Sequence, residues 1–371
     1  MVRAIETQVL SPLVTIIVPA YNAEPFLRAS LDSIVGQSYP ATEILLMDDA
    51  STDGTGKIAQ SYGDRIIYHR QPRNRSQFGN INDGVALARG KYIAIYHSDD
   101  IYEPEIVSRE VAFLERHPEA GAVFALDIFI NADGKEWGRL KLPPDVRGKE
   151  LLDYRTVLNT ILCHKNCIFR APSSMVRADV YRTIGPYRGH EFPVAGDFEM
   201  FFRIARHYPV GILEEYLFRY RLGHASAAHQ IERLLRTAIE PYFIIMDEHL
   251  ASGASKLADP ASLGAYEAHR SEDVLMRAVN CYIINDRTAM RSILKEASCR
   301  HILASNKVQR YRLTTLYFLL ASLARLPQMS WLEWVFRKRW FGHIEPARFE
   351  QVLQLRKPRG TLAAPPHQGN R

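Results

Sequence analysis

EILLMDD (Glu43–Asp49) and KYIAIYHSDD (Lys91–Asp100) are two hydrophobic runs that each end in a pair of acids. Apolar residues without alternation, set between helical patterns, mark strands buried on both faces of a parallel sheet. Carboxylates do not suit the interior of such a strand, so they belong at its exit. Open α/β sheets bind ligands in the crevice beyond the carboxyl ends of their strands. Both acid pairs are therefore expected in one crevice.

Working outward, strands and helices alternate. VTIIV (Val14–Val18) reads as a strand stopped by Pro19, and Glu24–Ser38 as a helix with Leu27, Leu31, Ile34 and Val35 on one face and Pro25 in its first turn. Strands follow at Glu43–Met47, Ile66–His69, Lys91–Tyr96 and Ala122–Ile130, and helices at Thr55–Tyr62, Phe78–Arg89 and Pro104–His117. Asn131–Gly134 is a turn signal. A helix over Leu151–Leu162, another over Phe198–His207, and short strands at Val210–Leu213 and Leu217–Arg221 complete this half. Beyond Gly223 the period is helical throughout: Ile231–Leu250, Leu263–Ile284, Arg287–Ala297 and Val308–Leu326. The expected fold is α/β, Rossmann-like, with a mostly parallel central sheet flanked by helices and an all-helical C-terminal extension. The expected boundaries are an N-terminal extension at 1–11, the α/β domain at 12–225, a helical region at 226–358 and a disordered tail at 359–371.

The 371 residues suffice for two such units, and 47% apolar with 24% charged residues is ordinary for a globular protein. The net charge of +6 is unevenly placed. From His301 to Arg371 there are 12 Lys/Arg against 3 Asp/Glu, leaving 35 against 38 elsewhere. Four cysteines form no dense disulfide framework, and the first residues lack a signal-peptide core. The longest apolar candidate, Leu313–Leu326, is short of a membrane span and contains Arg325. A cytoplasmic location is expected, peripheral on the inner face of the cell membrane if the basic region binds lipid.

Two phosphate-binding loops can be excluded. A Walker A loop fails around Gly56-Lys57, where Ser51 stands in place of the first glycine and Ile58 follows the lysine. A dinucleotide fingerprint fails after the first strand, which reads Pro19-Ala20-Tyr21-Asn22. Without a backbone nest, acids facing a diphosphate repel it by ~4 kcal/mol per close charge pair. A divalent cation between them removes the conflict, and oxygen ligands favour Mg²⁺ or Mn²⁺.

PLVTIIVPAYNAEPFLRASLDSIVGQSYPATEILLMDDASTDGT (Pro12–Thr55) resembles the opening of the family 2 glycosyltransferases, which have a GT-A fold. The resemblance continues through Asn82, Ala88–Tyr92, Ser98-Asp99-Asp100, Ala195–Glu199 with Arg203, and Tyr220-Arg221, covering roughly residues 12–225. It implies an inverting, metal-dependent, hexosyltransferase-type enzyme that takes its sugar from a nucleotide-sugar, UDP-linked, for a hydroxyl of a cell-surface glycan or lipid-linked acceptor. By position, Pro19, Tyr21 and Asn22 would cradle the base, Asp49 would accept from the uracil imide, and Asp48 would support the loop. Asn82 and Arg75 would pass the ribose and phosphates, beside His97, Ser98 and Asp99. Asp99 would bind Mn²⁺ or Mg²⁺ with Asp100 beside it, and Asp197 would be the general base. The family's metal motif reads Asp-x-Asp, and His97 occupies its first position here; the imidazole either bonds a ribose hydroxyl or ligates the metal. His224 and His229 close over the diphosphate, or complete the metal shell, or lie in a surface loop.

Each site has a plainer reading. Ser51 and Asp53 are expected to cap the Thr55 helix, and Asp99 or Asp100 the Pro104 helix. Asp197 would equally suit a helix start, where the dipole keeps it ionised. Cys163, His164 and Cys167 lack a second ligand pair for zinc, so reduced thiols are expected. Between Arg310 and Trp340, Tyr317, Phe318, Trp331, Trp334, Phe336 and Trp340 interleave with cations. That pattern suits an anionic membrane surface or, equally, a helical subdomain with a solvated basic face. No nucleic acid is expected as a partner, since no RNA module is visible, and the sequence leaves the oligomeric state open. The other functional readings are a nucleotidyltransferase on the same sheet and a nucleotide-sugar-binding sensor or scaffold without catalysis.

Overall fold

The first strand sets the layering. In β1 (Val14–Ala20), Val14, Ile16 and Val18 point to one face and Thr15 and Ile17 to the other, and all five are fully buried. Two apolar faces need two helical layers. The computed structural model supplies them and describes residues 11–222, 235–297 and 307–341. Helix α1 (Glu24–Val35) packs Leu27, Leu31 and Ile34 against the Val14–Val18 face. Helix α3 (Gln77–Leu87) lies on the other, and there Gly84 permits close approach. A Cβ at that position would stand 2.8 Å from Ile17 Cγ2 and 3.2 Å from Met47 Cγ.

The parallel core is formed by β1, β2 (Thr42–Asp48), β3 (Ile67–Arg70) and β4 (Tyr92–Ile95), with α2 (Thr55–Gln60) between β2 and β3. Strand β5 (Ile101–Tyr102), helix α4 (Ile106–Arg116) and β6 (Ala122–Ile130) follow. Strand β7 (Glu136–Arg139) folds back on β6 through the Asn131–Gly134 turn, whose glycine takes φ +81°. Then come β8 (Leu151–Leu152), α5 (Tyr154–His164), β9 (Ser174–Arg177), α6 (Ala178–Ile184), α7 (Gly196–Ala205) and β10 (Val210–Arg221). The sheet order is β3-β2-β1-β4-β9-β6-β10-β5, with β7 beside β6 and β8 beside β10. The expected α/β architecture is present, with one addition. Strand β9 enters antiparallel between β4 and β6, so the sheet is parallel on one side and mixed on the other. The two short strands expected at 210–221 are one strand, with register shifts around Tyr216 against β6.

The chain divides into two units, Met1–His224 with Ile244–Ser262, and Ala225–Phe243 with Leu263–Arg371. The remaining helices are α8 (Pro241–Ala251), α9 (Pro260–Ile283), α10 (Arg287–Leu294), α11 (Lys307–Leu323) and α12 (Ser330–Phe341). The second unit has its own core, in which Leu275, Val279 and Tyr282 meet Met290, Leu320, Leu323 and Phe336. Among the described residues no helix is long and apolar enough to cross a membrane. Among the described residues Cys163, Cys167 and Cys281 form no disulfide, and His164 meets Asp145 at 3.1 Å.

Candidate active site

The carboxyl ends of β1, β2 and β4 open on one cleft of about 360 Å³, lined by Pro19, Tyr21, Asp49, His97, Ser98 and Asp99 together with Asn74, Ser76, Gln77 and Asn80. The two acid pairs are divided by role. In each pair one acid faces the cleft and the other is buried beneath it.

At the end of β2, Asp48 is fully buried. One of its oxygens accepts from the Ser51 N–H at 2.8 Å and the other from the Tyr68 hydroxyl at 2.6 Å. Asp48 therefore shapes the loop. Ala50, next in the chain but one, takes φ +62°, a conformation costly for a residue with a Cβ. Asp49 donates its backbone N–H to Ala20 and accepts the Arg75 N–H at 2.6 Å, which joins the β1, β2 and β3–α3 loops. Burial pushes the Asp49 carboxyl above its ordinary range, against the opposing effect of the Arg75 N–H. Asn22, also at positive φ (+49°), accepts the Thr52 N–H at 2.8 Å and gives its own N–H to Ser51 Oγ at 2.9 Å. Ser51 is thus a partner of Asn22 and does not cap α2; Asp53 accepts from both Thr55 and Glu24 N–H groups.

At the end of β4, His97, Asp99 and Asp100 bring ligand atoms within 4.8 Å of one another, the one such group of three or more His, Cys, Asp or Glu among the described residues. Asp100 is fully buried, accepts the Arg221 N–H at 2.7 Å on one oxygen and leaves the other, Oδ2, without a partner. That oxygen stands 4.0 Å from His97 Nδ1, and His97 Nε2 is likewise buried and unpartnered. Burial lowers the His97 pKa, and burial with the Asp99 charge raises Asp100 well above a usual carboxylate. An unpartnered imidazole nitrogen and an unpartnered carboxyl oxygen, with the Asp99 carboxyl beside them, suit a divalent cation, so the residues fit a Mg²⁺ or Mn²⁺ site. Neither acid serves as a cap, because α4 begins at Ile106 with no side-chain cap.

Arg221 fastens this floor. Its Nε donates to the Asp99 carbonyl at 2.8 Å, its Nη1 donates to the carbonyls of Asn131 and Ala132, and its guanidinium lies 4.8 Å from the Phe26 ring centre. Ser30 Oγ holds the His97 carbonyl at 2.8 Å, and the Tyr102 hydroxyl accepts the His97 N–H at 2.6 Å.

Asp197 lies in the first turn of α7, half-buried, with Ala195 at the cap position. It is not among the cleft-lining residues, but its charge acts on His97, which is, and on Tyr220. The segment before it is tightly held. Asn82 receives the Tyr187 N–H at 2.9 Å and donates to the Tyr187 carbonyl at 3.0 Å. Glu199, 1% exposed, pairs with Arg203 at 2.9 Å and Arg188 at 3.2 Å.

Two sequence expectations land differently. Asn82 faces away from the cleft and straps the Tyr187 segment, while Asn80, two residues earlier on α3, lines the cleft. Arg75 meets Asp49 with its backbone, and its guanidinium pairs with Asp83 at 3.1 Å. Asn74, Ser76 and Gln77 were not singled out from the sequence; the only signal was their place at the start of α3, where helix N–H groups favour anions. His224 lies outside the described residues.

Residues 15–184 match the model of the Glycosyl transferase family 2. Over 181 residues the chain is 34% identical to EpsE of Bacillus subtilis (strain 168), which carries the name of a glycosyltransferase; the match covers 48% of this chain and 60% of that protein. It is 31% identical over 182 residues to the PGL/p-HBAD biosynthesis glycosyltransferase of Mycobacterium bovis (strain BCG / Pasteur 1173P2), covering 48% and 64%. The chain thus spans about three fifths of the length of these two relatives. Among solved structures, S. aureus TarS in complex with UDP is similar at 16% identity and a TM-score of 0.49, covering 76% of this chain and 90% of that one. That likeness is loose, and the fold rests on the sheet order described above. Motifs at the strand ends, the α/β sheet that carries them and the family match fall on one segment: it is residues 15–184 of this chain that are similar to the family 2 glycosyltransferases.

Proposed function

We propose that the chain is an inverting, metal-dependent glycosyltransferase that moves a sugar from a UDP-linked donor to a hydroxyl of a cell-surface glycan or lipid-linked acceptor at the cytoplasmic membrane face. One observation carries this reading: Asp49 at the exit of β2 and His97 and Asp99 at the exit of β4 line a single cleft, and Asp197 acts on the same imidazole. The donor lies along that line. Asp49, an acceptor-only group when ionised, suits the imide N–H of uracil, and the exposed Tyr21 ring forms a wall for the base. The start of α3 offers Ser76 and Gln77 to the sugar-phosphate portion. Asp99, Asp100 and His97 would hold Mn²⁺ or Mg²⁺, which when bound supplies positive charge against the diphosphate leaving group. Asp197 takes the proton of the acceptor hydroxyl as that oxygen attacks the anomeric carbon from the face opposite the nucleotide. The C–O bond to the diphosphate breaks, the new glycosidic bond forms with inverted configuration, and the nucleoside diphosphate leaves.

The test is release of nucleoside diphosphate from a panel of UDP-, GDP-, dTDP- and CDP-sugars with and without Mn²⁺, for the wild type and Asp197→Asn. Loss of a general base costs roughly a hundred- to ten-thousand-fold in turnover and little in donor binding. Undiminished turnover in Asp197→Asn overturns the base assignment. Release of pyrophosphate instead points to nucleotidyl transfer, and donor binding without turnover in the wild type points to a sensor.

A further inference from the structure

We propose that the exposed faces of α11 and α12 form a docking surface for an anionic phospholipid bilayer. On α11, Tyr311 and Phe318 are 81% and 64% exposed and lie seven residues apart on one face, opposite the buried Leu313 and Leu320, with the 40% exposed Leu319 at its edge. On α12, Trp331 and Trp334 are 64% and 58% exposed and turn away from the buried Leu332 and Phe336, with the 37% exposed Val335 at the edge of their face. Among the described residues these are most of the large exposed hydrophobics of the second unit. The structure separates two kinds of aromatic that the sequence presents alike. Phe336 is spent in the core and Tyr317 packs against it, whereas the two tryptophans and Phe318 are not.

Charge selects the occupant. Residues 307–341 carry seven Lys/Arg and one acid, Glu333. Lys338 lies 4.9 Å from the Trp334 ring centre, a cation held beside the aromatic that would enter the headgroup zone. A cleft of about 260 Å³ runs between α10 and α11, lined by the cations Arg291, Lys295 and Arg325 over Leu294 and Tyr317, with no acid in its lining. Apolar bodies for the acyl boundary, cations beside them and an all-basic cleft are complementary to phosphate-bearing lipid headgroups. No described helix crosses a membrane, so the contact lies in the interfacial plane. The inference is independent of the transferase reading, since it needs neither donor nor metal.

The test is flotation of the full chain with vesicles of pure phosphatidylcholine and of equimolar phosphatidylcholine and phosphatidylglycerol. Binding is expected only to the anionic vesicles, weakened by high salt. A Trp331→Ser/Trp334→Ser variant should lose at least tenfold in partitioning. An Arg291→Gln/Lys295→Gln/Arg325→Gln variant should lose about fivefold per cation removed. All five side chains lie at the surface or in an open cleft, so an unchanged melting curve certifies the fold, and donor turnover reads the first unit separately. Equal flotation with neutral vesicles, no flotation at all, or variants that float like the wild type would overturn the proposal. So would a self-association in sedimentation that the tryptophan variant abolishes while vesicle binding is unaltered, which would make a second copy the occupant.

Discussion

Asp99→Asn removes one charge from the proposed cation site while keeping the side chain's shape, and its effect on UDP binding should change sign with the metal. Of the three ligand groups, Asp100 is fully buried and already committed to the Arg221 N–H, and His97 is kept neutral by burial. Asp99, half-buried and lining the cleft, is the charge best placed to meet an incoming ion. At contact distance and an effective dielectric of 20 that charge is worth about 4 kcal/mol to a unit positive charge. Partial exposure roughly halves this to about 2 kcal/mol, or about thirtyfold in affinity. With saturating Mn²⁺, calorimetry should show UDP binding the variant about thirtyfold more weakly than the wild type. Without any divalent ion the order should reverse or level, because the asparagine no longer repels the diphosphate. A wild type whose UDP affinity ignores Mn²⁺, or a variant that loses as much without the ion as with it, refutes the reasoning.

Asp49→Ala should weaken UDP by about ten- to a hundredfold, as for a lost hydrogen bond to a charged group. CDP, which lacks the imide N–H, should change far less, and a competition assay separates the two. Asn82→Ala removes both hydrogen bonds to Tyr187 and should destabilise the fold by about 1–3 kcal/mol in urea melts, with turnover falling because the segment before Asp197 loosens. His249 gives the pH dependence. Burial, then the charges of Arg206, Arg188 and Arg203, brings its pKa down to about 4 from 6.5. The unfolded chain takes up that proton first, so this stability is complete above about pH 6.5 and is lost as the pH falls toward 4, by about 2 kcal/mol on reaching pH 5. His249→Gln should flatten the acid limb of a stability–pH curve; an unaltered limb assigns it to other groups.

The strands with long apolar runs were legible because their side chains alone explain burial. Ala122–Ile130 was delimited to the residue, and the acids at the exits of β2 and β4 pointed to the cleft. Strand β9 was not legible. Ser-Met-Val-Arg is short and polar at both ends, and its burial comes from neighbours: Ser174 Oγ bonds the Ala171 carbonyl, and Ser173 Oγ just before it bonds both the N–H and the carbonyl of Ala125. Strand β10 read as two pieces because Glu214-Glu215 interrupts the apolar pattern, which the register shifts absorb. In the site, side-chain chemistry was readable and direction was not. Asn80 and Asn82 are chemically identical, and roughly half a helical turn of rotation sends one to the cleft and the other to Tyr187. Similarly, nothing in the sequence tells that Arg75 meets Asp49 through its amide while its guanidinium turns to Asp83.

Arg221 gives the cleft floor a mechanical property. One side chain and its amide are shared by the β4–β5 turn, the hairpin after β6 and the last residue of β10. Those three chain crossings cannot relax one at a time, so a ligand that shifts any of them has to carry the others with it. Damage there is therefore collective, and a lone substitution at this arginine would be felt as the loosening of a whole knot.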